Sequence, residues 1–206
     1  LQNKSFFGKD LLKLYKFIKK GKFKIGPGIL KIRNISKDYE NCLLTKSGPF
    51  SNLKVIWDCG NGATGEIISK LVKKLPGEHK VLFEKIDGSF PNHHPDPSIE
   101  KNLQQLKDTI LDEGADLGIA FDGDGDRIGV LANDGTFVPG DILTAFLSGS
   151  ILKKMRNKPI ILDIKSGNSS MKLIEKNNGY IVISKTGHSL IKKKLKEINA
   201  PLAGEM

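Results

Sequence analysis

Three aspartates, Asp122, Asp124 and Asp126, alternate with glycines and are followed directly by Arg127. Carboxylates this close together repel one another strongly unless a cation lies between them. Oxygen ligands at such short spacing suit a hard divalent ion such as Mg²⁺ or Ca²⁺. The intervening glycines let the backbone turn tightly enough to point alternate carboxylates at one ion. We call residues 122–127 the acidic loop and predict that it binds a metal.

The spacing of the acids also matches the start of an EF-hand calcium loop. Counted from Asp122, however, the sixth position is Arg127, where the sharp turn needs glycine. The twelfth is Asn133, where a bidentate glutamate is needed, and the flanks are β-like rather than helical. A plain acidic turn between strands is the other alternative, but such a turn normally needs only one Asp-Gly pair.

The segments around the acidic loop have the pattern of an α/β fold. Apolar runs lead into and out of the loop, and a β-α-β unit is predicted upstream of it, with parallel strands. In chain order we predict strand 53–58, a helix through Leu75, strand 80–84, a helix over 99–112 capped by Ser98, and strands at 115–121 and 128–131.

A second β-α-β unit is predicted after the acidic loop. Its segments are a helix over 141–155, strand 159–164, a helix over 170–176, strand 180–183, a helix over 189–197 and a strand at 202–206. At the start of the chain, residues 5–20 have helical spacing of apolar side chains, and residues 23–43 appear irregular around Gly26-Pro27-Gly28.

Lys165 and His188 each follow a predicted strand of the second unit. In open α/β sheets the loops at the carboxyl ends of strands build the binding sites, so we expect both residues at one edge. A histidine, whose pKa is near neutrality, and a lysine could exchange protons with a hydroxyl group of a bound ligand. Taken singly, each is more often an ordinary surface residue.

A glycine pattern, GxGxxG, spans Gly60–Gly65 between a predicted strand and a helix. With Glu84 near the end of the next strand, it matches the fingerprint of an NAD-binding Rossmann domain. The alternative, which we favour, is a glycine turn that packs the helix against the strand. His93 and His94 lie in a proline-rich loop, residues 91–97, where adjacent side chains diverge, so we predict a structural or solvent-facing role for them.

Composition narrows the class of protein. No apolar run approaches the roughly 20 residues that span a bilayer, and two cysteines without metal-like spacing favour a reducing cytoplasm. The net charge of +10 comes almost entirely from dispersed lysines, which argues against nucleic acid and leaves small phosphorylated anions as compatible partners. The chain starts at Leu1 rather than Met, so we expect an excerpt of a longer protein.

Taken together, five stretches resemble one family, the α-D-phosphohexomutases of the bacterial phosphomannomutase/phosphoglucomutase type. They occur in the family's order and cover roughly residues 50–206. They are residues 55–63, the loop 91–97, and residues 115–127, 185–192 and 203–206.

The resemblance implies roles for individual residues. Asp122, Asp124 and Asp126 match the family's Mg²⁺ ligands, and Arg127 matches the arginine beside them in the active site. Lys165 and His188 match positions with general acid/base or substrate-contacting roles. Substrate binding is also implied for two further residues, Gly187 beside His188 and Glu205, which matches a sugar-contacting glutamate.

The resemblance further implies a fold and a reaction. The fold class is α/β, with two consecutive βαβ-type mixed-sheet domains after the helical tail of a missing domain. We expect residues 1–35 to end domain 1, 36–137 to form domain 2, and 138–206 to form part of domain 3. The implied reaction moves phosphate between O6 and O1 of a mannose or glucose phosphate through a phosphoserine and a 1,6-bisphosphate. The family's phosphoserine loop is not in this sequence. For the reaction, the chain is therefore expected to need the missing domains 1 and 4 of its parent protein.

Overall fold

The computed structural model describes residues 6–46 and 51–206, which divide into two compact units. One unit is Arg33–Pro139, and the other comprises residues up to Ile32 together with Gly140–Met206. The domain limits expected from the sequence stay predictions.

Helices and strands alternate through most of the chain, as the sequence predicts for an α/β fold. The helices are α1 Lys9–Lys19, α2 Ser36–Lys46, α3 Gly65–Leu71, α4 Gln104–Glu113, α5 Gly140–Lys154, α6 Asn168–Lys176 and α7 His188–Glu197. The strands are β1 Leu53–Asp58, β2 Gly77–Leu82, β3 Leu117–Phe121, β4 Ile128–Ala132, β5 Phe137–Val138, β6 Pro159–Asp163, β7 Tyr180–Ser184 and β8 Leu202–Gly204.

The Arg33–Pro139 unit contains a five-stranded mixed sheet in the order β2-β1-β3-β4-β5. β1 runs parallel to both β2 and β3, whereas β4 and β5 continue the sheet with antiparallel pairing. Its hydrophobic core joins Ile56 and Ala120 of the sheet to Leu106 and Ile110 of α4. The acidic loop is therefore the connection of the β3–β4 hairpin, next to the parallel half of the sheet.

The other unit contains a parallel sheet in the order β7-β6-β8. Every residue of the central strand β6 is buried, and its side chains alternate between two cores. Ile160 and Leu162 pack with α5 and α6, whereas Ile161 packs with Ile191 of α7. Helices thus cover both faces of β6, which is the arrangement expected for a parallel sheet.

The first helix differs from the rest because none of its residues is buried. It confirms the helix predicted at the start of the chain, although Ser5 lies outside the described residues. Within the described part of the chain, no helix has the combination of length and apolar character needed to cross a membrane.

The prediction of irregular structure through residue 43 is wrong from Ser36 onward, where α2 begins. The Asn34 side chain accepts the Ser36 N–H at 2.9 Å, as an N-terminal cap does. Glu40 is buried and pairs with Lys74 at 2.6 Å. Because a charged side chain faces inward, the helix lacks the apolar periodicity by which sequence patterns reveal a helix.

Several predicted boundaries also differ. α3 ends at Leu71 rather than Leu75, and β2 begins at Gly77 rather than residue 80. Ser98 does not cap a helix, because its N–H and O–H both donate to the Asp96 carboxylate, at 3.1 and 2.7 Å. A local bond of this kind competes with helix formation, and a 3₁₀ turn, Glu100–Leu103, precedes α4.

We predict that Gly65→Ala destabilises the chain by about 3 kcal/mol, at the upper end of the cost of overpacking. A Cβ at this position would overlap the backbone carbonyl of Glu84, which cannot move aside as a side chain does. Urea unfolding followed by fluorescence of the single tryptophan, Trp57, measures the loss. Gly88→Ala is the control, because a Cβ there would meet nothing within 4 Å. Equal stability of the two variants would contradict the prediction.

Candidate functional site

The acidic loop brings its three aspartates together as the sequence predicts. One carboxylate oxygen from each of Asp122, Asp124 and Asp126 lies within 4.8 Å of the other two. Asp122 is buried, whereas Asp124 and Asp126 are exposed. Gly125 adopts a φ of 74°, a left-handed conformation that favours glycine, and its N–H donates to the Asp122 carbonyl at 3.1 Å.

This donor set fits a hard divalent cation. All three ligands are carboxylate oxygens, which suit Mg²⁺ or Ca²⁺ rather than a softer metal. Two of the three side chains face solvent, so the site is open to waters or a further ligand on that side. Mg²⁺ keeps several such ligands when one or two carboxylates bind it.

Arg127 holds the buried member of the cluster. Its Nε donates to Asp122 Oδ2 at 2.8 Å, and its backbone N–H donates to Asp122 Oδ1 at 3.0 Å. Burial opposes ionisation of the Asp122 carboxyl, but these two hydrogen bonds, a hydrogen bond with Asp126 and the charge of Arg127 together outweigh it, so the pKa of Asp122 lies below its ordinary value. Asp122 therefore stays an anion that can both bind a cation and orient the guanidinium.

Asp96, which the sequence analysis missed, is the second carboxylate on that guanidinium. Its Oδ1 accepts from Arg127 Nη1 at 3.0 Å and from the Ser98 hydroxyl at 2.7 Å. The Ser98 hydrogen bond, with the positive charge of Arg127, holds the pKa of Asp96 below its usual range. Arg127 is thus bracketed by Asp122 and Asp96, while its side chain remains 54% exposed.

A buried ion pair anchors the proline loop, residues 91–97, beneath the acidic loop. The Asp58 side chain is 1% exposed and accepts the Gly60 N–H at 2.8 Å. His93 Nε2 lies 3.0 Å from Asp58 Oδ2, and His93 Nδ1 lies 3.0 Å from the His94 carbonyl oxygen. Both ring nitrogens face acceptors, which favours the imidazolium, and the bond to Asp58 raises the pKa of His93. The structure thus supports the structural role predicted for His93.

The glycine turn, residues 60–65, braces the acidic loop. The Ala63 N–H donates to the Gly123 carbonyl at 2.9 Å, and a Cβ at Gly62 would lie 2.7 Å from the same oxygen. Glu84 accepts the Ser69 hydroxyl at 2.5 Å. A dinucleotide site needs free amides at such a turn and a free acid on the next strand. Both are engaged here, so the geometry favours the packing role and opposes the NAD alternative.

In the other unit, three loops meet at the carboxyl ends of β6, β7 and β8. We call them the three-loop edge: residues 164–167, which include Lys165, residues 185–188, which include Gly187 and His188, and residues 205–206, which include Glu205. The Gly187 N–H donates to Glu205 Oε1 at 2.6 Å. Lys165 Nζ lies 3.4 Å from the Met206 carbonyl oxygen and 3.7 Å from Asp163 Oδ2.

His188 lies at the same edge but is not joined to these groups. It is the first residue of α7 and is exposed, and no hydrogen bond of its ring is found among the described residues. The structure therefore links Lys165, Gly187 and Glu205 and places His188 beside them.

Comparison with known proteins connects both sites to one family. Residues 34–135 match the family model described as phosphoglucomutase/phosphomannomutase, alpha/beta/alpha domain II, and residues 139–206 match domain III of the same family. Together the two matches span most of the chain, in the family's domain order. The chain belongs to the phosphoglucomutase/phosphomannomutase family.

Relatives of known name agree with this assignment. A phosphomannomutase/phosphoglucomutase of Pseudomonas putida is 47% identical over 154 residues, which are 75% of this chain and 33% of that protein. A phosphoglucomutase of Neisseria meningitidis is 38% identical over 174 residues, covering 84% of this chain and 38% of the relative. The chain thus spans about a third of the length of the curated relatives it matches.

The fold agrees as well. A crystal structure of a phosphoglucomutase/phosphomannomutase family protein from Burkholderia thailandensis superposes with a TM-score of 0.92 at 37% identity, over 97% of this chain and 44% of that one. The family resemblance and the α/β fold class predicted from the sequence are confirmed. The roles of the individual site residues stay predictions.

The His93–Asp58 pair predicts a pH-dependent stability. Because the folded-state pKa of His93 is raised, its stabilisation is fully present below the ordinary histidine pKa of about 6.5 and is lost as pH rises through the folded value. The free energy of unfolding of wild type, minus that of His93→Gln, should therefore fall as pH rises above about 6.5. Urea unfolding at a series of pH values measures this difference.

The control for this prediction is His94→Gln, whose side chain is exposed. This variant keeps the Asp58–His93 pair, so the contribution of the pair to stability remains in it. A wild-type advantage over His93→Gln that grows with rising pH would show that His93 is neutral in the folded chain.

Proposed function

We propose that this chain forms the metal-binding and sugar-binding part of a hexose-phosphate mutase acting on mannose or glucose phosphates. The observation that supports this most is the convergence of three aspartate oxygens within 4.8 Å in a member of this family. Curated relatives carry the names phosphomannomutase and phosphoglucomutase. Because the chain spans about a third of their length, the activity of the whole protein is part of the proposal.

In this proposal Asp122, Asp124 and Asp126 hold Mg²⁺. The bound ion would supply positive charge where negative charge develops on a phosphoryl group. Arg127, held in place by Asp122 and Asp96, directs the exposed part of its guanidinium to a phosphate oxygen. Arginine is suited to this role because its planar donors match phosphate geometry and its charge is permanent.

The three-loop edge binds the sugar in this proposal. Glu205 accepts hydrogen bonds from sugar hydroxyls with the oxygen that Gly187 leaves free, since the Gly187 N–H occupies only Oε1. Lys165 and His188 contact the substrate and exchange a proton with the hydroxyl that gains or loses the phosphoryl group. Histidine suits that exchange because its pKa lies near neutral pH.

The full reaction consists of two phosphoryl transfers. A phosphoserine gives its phosphoryl group to the free O1 or O6 of the hexose phosphate, whose hydroxyl proton passes to a base, and a 1,6-bisphosphate results. The other phosphoryl group then returns to the serine, whose hydroxyl loses its proton, and the sugar oxygen left behind takes up a proton. The phosphoserine and the remaining phosphate contacts are expected in domains 1 and 4. The same proposal includes a cytoplasmic location and the expected domain limits, which are residues 1–35, 36–137 and 138–206.

The proposed metal site predicts that Mg²⁺ changes the order of stability of wild type and Asp124→Asn. In EDTA, Asp124→Asn should be at least as stable as wild type, because it removes one of three mutually repelling charges. In Mg²⁺ wild type should gain stability through binding to the folded state, and the variant should gain less. We expect its Mg²⁺ affinity to fall at least about tenfold, since ligand charge sets affinity. Thermal unfolding with and without Mg²⁺ and calorimetric titration measure both effects.

Asp112→Asn is the matched control for the metal site. It makes the same change of charge on an exposed side chain of α4, outside the acidic loop. Its Mg²⁺ affinity should equal that of wild type. An Asp124→Asn chain with wild-type Mg²⁺ affinity would remove the acidic loop as the metal site.

We also predict that the 206-residue chain alone does not interconvert glucose 1-phosphate and glucose 6-phosphate. The phosphoserine donor is not among its residues, and the other groups cannot replace a phosphoryl donor. A coupled assay for glucose 6-phosphate measures this, with the full-length relative from Pseudomonas putida as the positive control. Turnover by the isolated chain above the background would contradict the proposal that the phosphoryl donor lies in another domain.

A further inference from the structure

Two buried carboxylates lie under the three-loop edge, and the proposed reaction uses neither of them. Asp163, the last residue of β6, has no exposed surface, and Asp141, in the first turn of α5, is 4% exposed. Burying a carboxylate is costly unless its oxygens are hydrogen-bonded. The partners of these two residues therefore indicate what the structure gains from them.

Asp163 joins two loops of the edge. Its Oδ1 accepts the backbone N–H of Lys165 at 3.2 Å and the hydroxyl of Ser166 at 3.0 Å, both in the loop after β6. Its Oδ2 accepts the hydroxyl of Thr186 at 3.1 Å, from the loop after β7. One carboxylate thus connects loops that are 23 residues apart in the sequence.

The connection continues to the third loop. Gly187, next to Thr186, donates its N–H to Glu205 Oε1 at 2.6 Å, which orients the Glu205 carboxylate. On the other side, Asp141 Oδ2 accepts the Gly167 N–H at 2.8 Å and fixes the far end of the first loop. Hydrogen bonds, together with the covalent link between Thr186 and Gly187, therefore connect Lys165 to Glu205.

We infer that Asp163 is a positioning residue, which sets the relative placement of Lys165, Gly187 and Glu205 through its bond to Thr186. Only the nature of the ligand, a hexose phosphate, rests on the proposed function. Such a ligand presents hydroxyls and a phosphate at fixed separations, so it needs a carboxylate and an ammonium group held at a matching distance. Asp163 supplies that constraint without touching the ligand.

The test uses Thr186→Val, which removes the hydroxyl and keeps the shape of an exposed side chain. In ¹H–¹⁵N spectra of the 206-residue chain without ligand, we expect the amide signals of both Gly187 and Lys165 to move. The Gly187 amide should exchange with solvent about tenfold faster, the value of one hydrogen bond to a charged acceptor. Thr186→Ser, which restores the hydroxyl, should return both signals toward their wild-type positions.

Ser184→Ala is the matched control. It removes a hydroxyl two residues earlier that donates to the Lys185 carbonyl at 3.2 Å rather than to Asp163. The Lys165 amide should not respond to it. Asp163→Asn, which keeps the shape and removes the charge, should move the amides of Lys165 and Gly187 together.

The inference is overturned if Thr186→Val changes only its own loop and leaves the Lys165 amide in place. It is also overturned if Asp163→Asn leaves both amides unchanged. Titration with glucose 1-phosphate tests the proposed function separately. Saturable movement of the Lys165 and Gly187 signals in wild type supports a sugar-phosphate site, and its absence rejects that ligand class. The spectra without ligand still decide the role of Asp163.

Discussion

A buried aspartate at the carboxyl end of a parallel strand organises the loops in each unit. Asp58 ends β1, Asp163 ends β6, and both are buried. Each accepts the backbone N–H two residues later, from Gly60 or from Lys165. Since a buried carboxylate must satisfy its remaining lone pairs, each also draws in a donor from a distant loop.

The two aspartates differ in what balances their charge. Asp58 pairs with His93, whose pKa is raised by this bond, and the pair fixes the proline loop. Asp163 instead accepts hydrogen bonds from hydroxyl and amide groups. The nearest ammonium group, Lys165 Nζ, lies 3.7 Å away, and the lysine side chain is 54% exposed. In the Arg33–Pro139 unit the partner of the aspartate is a histidine with a structural role. In the other unit the aspartate leaves a lysine facing solvent, where a ligand can reach it.

The sequence predicted the parts of this arrangement whose signals are local. The acidic loop and its flanking strands are continuous in the chain. Lys165 and His188 follow apolar strands, so the hydrophobic periodicity of the strands and the position of each residue after them are enough to place both. The positions of Asp58, Asp96 and Asp163 beneath the sites were missed, because their partners lie 35, 31 and 23 residues away. An aspartate at a strand end has no distinguishing pattern until the fold brings its donors together. The helix α2 was missed for the same reason, since its buried residue Glu40 is matched by Lys74 of another segment.

The overall charge of +10 conceals an uneven distribution of charge along the chain. Residues 33–139 hold 17 acidic residues against 12 lysines and arginines, whereas residues 140–206 hold five against 12. An excess of negative charge favours cations near the acidic loop, and an excess of lysine favours anions near the three-loop edge. From the sequence-wide value we inferred only that small phosphorylated anions are compatible partners. The structure instead places a carboxylate cluster suited to a divalent cation in the Arg33–Pro139 unit, and residues 140–206 carry an excess of lysine that suits anions.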